Sequence, residues 1–142
     1  KSETNKIGPF IFKTSGDGGE FLTVSKEKKQ LYMDGPAVLK FSLNLVPEAT
    51  HELLEKANYK MEDIDTFIFH QASAVVLNKL KKKLDIIDLK WFNEIENIGN
   101  TVSATIPIAI SMLQNENKFS YSKKYLLMGF GVGLSVAGCI LS

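Results

Sequence analysis

Residues 67–78 read FIFHQASAVVLN, and the way this stretch is parsed decides the fold. Thr66–Phe69 form a short apolar run without clear alternation, as in a parallel strand covered by helices on both faces. From Ser73 the period becomes helical. Val76, Leu80 and Leu84 fall at i, i+4 and i+8, and Lys79, Lys81, Lys82 and Lys83 point away from them. His70 stands between strand and helix. An imidazole there needs partners for both ring nitrogens and titrates near neutral pH. It is either a satisfied structural histidine or one member of a functional pair whose second group comes from elsewhere.

Working outward, Phe41, Leu45, Ala49 and Leu53 give a second helical stripe, bent or started at Pro47 and stopped by a left-handed Asn58. The first forty residues are turn-rich, with SGDGGE between two short strands, PFIFK and EFLTV. Downstream, Trp91–Ile95 reads as another strand. After NIGNT, a helix with Pro107 near its first turn turns Ile106, Ile110 and Leu113 inward. Tyr125–Leu141 carries no charge and approaches the length of a membrane span. Its glycines (129, 131, 133 and 138) suit a buried hairpin better: YLLMGF, a turn at Gly131–Gly133, then LSVAGCIL. Helices alternating with strands predict a layered α/β domain with a mixed sheet and an antiparallel C-terminal strand pair.

Composition narrows the function classes. The chain has 142 residues, 44% of them hydrophobic, enough for one globular core. Its 17 basic and 16 acidic residues leave a net charge of +1, which gives no signature of nucleic-acid binding. The lysine cluster is a solvated helix face or a docking patch for an acidic partner. One cysteine, Cys139, allows no internal disulfide and suits a reducing cytoplasm; with two distant histidines it offers no metal-ligand spacing. The chain opens KSETNK with no charged-then-apolar leader, a start compatible with an excised fragment.

Ligand groups of open α/β sheets gather beyond the carboxyl ends of strands. Three loops stand there: His70 with its neighbours, NIGNT with Asn97 and Asn100, and GFGVG. Taken alone, NIGNT is a turn with a helix cap. GFGVG leads into a strand rather than a helix, so it is a poor nucleotide cradle.

Taken together, HQAS, then NIGNTVSATIPIAI, then GFGVGLS resemble the C-terminal half of β-ketoacyl-acyl carrier protein synthase III, a thiolase-like condensing enzyme. The likeness continues upstream through MDG, LKF and VPEATHELLEKANYKMEDID. It implies that residues 1–40 are closing strands of the N-terminal half plus a linker, and that 41–142 are the C-terminal half. It also implies a catalytic pair. The histidine of HQA falls on His70 and the asparagine of GNT on Asn100, which together assist decarboxylation of malonyl-acyl carrier protein and its condensation with an acyl-enzyme. Such chemistry builds negative charge on a thioester oxygen, and two preorganised N–H donors stabilise it. On this reading His70 presents an N–H, and Asn100 donates without titrating.

The resemblance further places the backbone N–H of Val132 in an oxyanion hole, where members have glycine and valine restricts φ. Ser73, Val75 and Leu39 stand where members have Asn, Arg and Phe around the pantetheine tunnel and carrier surface. Met33 belongs to the same substrate-binding set, and Lys40 lies at the tunnel mouth. Coenzyme A thioesters and acyl carrier protein are the implied substrates, with no cofactor or metal, in a cytoplasmic homodimer serving fatty acid biosynthesis. The family's nucleophilic cysteine opens a buried helix in the N-terminal half. Cys139 sits in the last apolar strand and reads as a small buried hydrophobe. The chain is then a fragment, or one product of a two-chain enzyme. Two rival readings are an acyltransferase to a hydroxyl or amine with His70 as general base, and a non-catalytic partner subunit.

Overall fold

A computed structural model describes residues 7–24, 27 and 29–142. Strand β1 (Ile7–Thr14) is followed by a 3-10 turn over Gly16–Phe21 and a small hairpin, β2 (Leu22–Val24) with β3 (Leu31–Met33). EFLTV is therefore half turn and half strand.

Helix α1 spans Gly35–Ala57, starting before the Phe41 stripe. Asp34 caps it, its carboxylate accepting from the Ala37 N–H at 2.9 Å, and Pro36 occupies the first turn, where a missing N–H costs nothing. Pro47 lies inside the helix rather than at its start. The left-handed Asn58 (φ 55°) ends it, returning its N–H to the carbonyls of Leu54 and Glu55. A division at residue 40 thus falls within α1 and separates β1 from the strand it pairs with.

The main sheet has the order β1-β6-β5-β4. Strand β4 (Thr66–Phe69) runs parallel to β5 (Tyr125–Gly131), which turns back into antiparallel β6 (Ser135–Leu141). Strand β1 pairs antiparallel with β6 at one edge. The uncharged C-terminal run is thus a hairpin, and among the described residues no helix is long and apolar enough to cross a membrane.

Both faces are covered, which is why β4 is apolar from Phe67 to Phe69. Phe67 and Phe69 point to α1 and to α2 (Ala74–Lys83), meeting Val46, Leu53, Leu77 and Leu80. Ile68 points the other way, to α4 (Thr105–Asn115), where Ala109 and Leu113 are buried with Tyr125 and Phe92. Burying one such side chain stabilises the fold by about 1.5–3 kcal/mol.

Trp91–Ile95 is not a strand. It makes one parallel bridge, Trp91 to Phe67, and a short helix α3 (Ile95–Ile98) then begins. Side chains have captured the donors a ladder would need. The Glu94 N–H goes to Gln71 Oε1 at 3.0 Å and the Ile95 N–H to Asn93 Oδ1 at 3.4 Å.

Candidate active site

Three chain segments converge beyond the carboxyl ends of β4 and β5. The first is the loop after β4. The His70 N–H still reaches the Met128 carbonyl of β5 at 2.8 Å, so the histidine backbone remains registered on the sheet. Gln71, fully buried, locks the loop: its Nε2 donates to the Phe69 carbonyl at 2.9 Å while its Oε1 holds the Glu94 N–H. Ser73 then caps α2, accepting from the Val76 N–H at 3.3 Å.

The second segment is the turn after α3. Gly99 (φ 64°) closes that helix, and the Asn100 side chain is tied at both ends. Its Nδ2 donates to the Ala72 carbonyl at 3.1 Å and its Oδ1 accepts from the Val102 N–H at 2.9 Å. One amide hydrogen of Asn100 therefore remains to be offered. Val102 is held at φ 55°, a region a β-branched residue seldom enters, at a cost of about 1–3 kcal/mol. Asn97 takes no part in the cleft; it donates to Glu94 at 2.7 Å.

The third segment is the end of β5. Phe130 sets its ring edge-on to His70, centroids 5.4 Å apart. With the β2–β3 hairpin and the start of α1, these segments bound a cleft of about 310 Å³, large enough for the narrow part of a small ligand. His70, Asn100, Met33, Leu39, Ser73 and Val75 all line it, with Phe130, Gly131 and Leu22. Lys40, next along α1, turns instead to a neighbouring groove with Asp17 and Phe21.

Val132 sits in the β5–β6 turn with its side chain in water. Valine is no obstacle there, because the left-handed demand falls on Gly133 (φ 137°), where an added Cβ would collide with Ser135 Oγ. Cys139 is half-buried in β6, its pKa raised by burial, and does not line the cleft.

Sequence reading missed Thr105, whose Oγ1 lies 2.8 Å from His70 Nδ1. The only local signal was a hydroxyl opening the helix after NIGNT. Burial pushes the pKa of His70 below the usual imidazole value, which favours the neutral ring.

This arrangement has counterparts in known proteins. Residues 54–142 match the family model described as 3-oxoacyl-[acyl-carrier-protein (ACP)] synthase III C terminal. A beta-ketoacyl-[acyl-carrier-protein] synthase III of Clostridium novyi is 34% identical over 135 residues, 86% of this chain and 42% of that protein. Its Lactococcus lactis namesake is 36% identical over 124 residues, 86% of this chain and 38% of that protein. A crystal structure of a 3-oxoacyl-(acyl-carrier-protein) synthase III superposes with a TM-score of 0.93 at 35% identity, over 99% of this chain and 49% of that one. The Thermus thermophilus synthase III gives 0.91 at 28% identity, over 99% and 47%. The chain spans less than half the length of these relatives. By sequence and by a thiolase-like fold that places His70 and Asn100 on one cleft, the chain belongs to the 3-oxoacyl-acyl carrier protein synthase III C-terminal family.

Proposed function

We propose that this chain supplies the malonyl-handling part of a decarboxylative Claisen condensation between an acyl thioester and malonyl-acyl carrier protein. The attacking cysteine comes from N-terminal sequence that this chain does not contain, and the whole enzyme works as a homodimer in fatty acid biosynthesis. The observation behind this reading is that His70 and Asn100, from separate segments, line one cleft at the strand ends. Loss of carbon dioxide from a malonyl thioester leaves an enolate, whose oxygen needs N–H donors already aimed at it. The free amide hydrogen of Asn100 meets that need without a change of protonation. The apolar flank of Met33, Leu39 and Val75 would hold the pantetheine arm, and the backbone N–H of Val132 would face the acyl-enzyme oxyanion. Transfer to a hydroxyl or amine needs a base but no enolate donor, so the held amide of Asn100 favours condensation.

The test uses the full-length enzyme, a radioactive acyl-coenzyme A and malonyl-acyl carrier protein in single turnover. Asn100→Ala is expected to form acyl-enzyme at a near-normal rate. Carbon dioxide release should then slow about a hundredfold or more, the effect of losing one preorganised donor. Blocked acylation with spared decarboxylation would point to the non-condensing acyltransferase instead.

A further inference from the structure

The hydroxyl of Thr105 has two neighbours and one hydrogen. Its Oγ1 lies 3.1 Å from the Val102 carbonyl oxygen and 2.8 Å from His70 Nδ1. A carbonyl oxygen only accepts, so both contacts are satisfied when the hydroxyl hydrogen goes to Val102 and a lone pair faces the ring. Nδ1 must then carry a hydrogen. A neutral imidazole has one N–H, so Nε2 keeps its lone pair, and Nε2 is the ring nitrogen left to the cleft.

We propose that Thr105 is a positioning residue that holds neutral His70 as its Nδ1–H tautomer, making Nε2 a proton acceptor toward the cleft. This rests on the reading of the cleft given above and changes one part of it. The family resemblance asks His70 for an N–H toward the thioester oxygen. With Nδ1 engaged, His70 has such an N–H only after Nε2 has taken a proton. When a thiol in the cleft ionises, its S–H bond breaks, the electron pair stays on sulfur and the proton forms Nε2–H. The ring becomes a cation, with Nδ1–H still on Thr105. If that proton then passes to the departing thiolate, the ring is neutral again and has no N–H for an enolate. Asn100 donates in either state.

The surroundings support a fixed ring. Thr105 is 1% exposed, so no water competes for its hydroxyl, and the Phe130 ring braces the imidazole. Burial of His70 favours its neutral form, in which the choice of tautomer matters.

The experiment is long-range 1H–15N correlation on the 15N-labelled chain, above the pH at which His70 ionises. His51, exposed on α1, is replaced as His51→Gln so that one imidazole is observed. The expected spectrum has a protonated Nδ1 and an unprotonated Nε2. A dominant Nε2–H form overturns the proposal without any variant of Thr105. Thr105→Val keeps the volume and removes the hydroxyl, and should move the tautomer ratio toward Nε2–H by about fivefold, the worth of one ordinary hydrogen bond. Thr105→Ser should restore the wild-type signature. An unchanged ratio in Thr105→Val removes Thr105 from the role. Because the measurement involves no turnover, its failure is distinguishable from failure of the condensation reading.

Discussion

Lys83 Nζ lies 2.6 Å from the carbonyl oxygen of Leu43, the one group in α1 that Pro47 deprives of its helical N–H partner. The lysine of α2 thus replaces a hydrogen bond that the proline removed from α1. Lys83→Met should lower stability by about 0.5–1.5 kcal/mol, measured from the urea midpoint. In a Pro47→Ala background the restored backbone N–H at that position can serve the same carbonyl, so the loss should shrink. Equal losses in both backgrounds would show that the two residues act independently.

The lysines that remain free for a carrier are then fewer than the cluster implies. Lys81 is paired with Asp88 and Lys83 is engaged, while Lys79 and Lys82 are exposed. In the full-length enzyme, Lys79→Glu with Lys82→Glu should raise the carrier KM severalfold at low salt and much less at high salt. A KM that does not move would identify a merely solvated face.

His70 makes stability depend on pH in a definite direction. Its folded-state pKa lies below the ordinary 6.5, so protonation favours the unfolded chain. The contribution is complete above pH 6.5 and is lost as pH falls through the folded-state value. Replacing His70 with Gln should flatten this part of the stability profile, and the imidazole proton shift should report the lowered pKa directly. A titration at or above the ordinary value would contradict the burial argument.

The isolated chain should form no condensation product. Cys139 is its one thiol, burial raises its pKa, and it lies outside the cleft lining. Purified chain with acyl-coenzyme A and malonyl-acyl carrier protein should give background turnover, and Cys139 should alkylate slowly at neutral pH. Robust product that survives Cys139→Ser would mean that a nucleophile other than a cysteine operates here.

The site was legible where its signals are local. A strand, a histidine and a capped helix follow one another within FIFHQASAVVLN, and the NIGNT turn announces its cap. The start of α1 was equally local, since Asp34 and Pro36 are an N-cap and a first-turn proline. The apolar stripe begins only at Phe41, so periodicity alone does not mark them. Two features could not be read. Trp91–Ile95 has the composition of a strand, but Gln71, more than twenty residues upstream, takes the Glu94 N–H. The hydroxyl of Thr105 meets His70 only because α4 crosses the sheet face beside β4. Pairings between distant residues have no periodicity to reveal them.

Strand β1 lies at one edge of the sheet, with Phe12 74% exposed and Phe10 46% exposed, their rings stacked on the face opposite Lys13. Lys13 is held by Glu48 and Glu52 of α1, so its charge is spent inside the molecule rather than along the strand's outer rim. Natural sheets keep such rims apart by placing free charge, proline or a bulge on them, and here Pro9 and the register shift between Ile7 and Phe10 guard only the start of the strand. For the isolated polypeptide this makes colloidal behaviour, rather than conformational stability, the quantity that sets its usable concentration. A single charged side chain at position 12 is the smallest change that would relieve it.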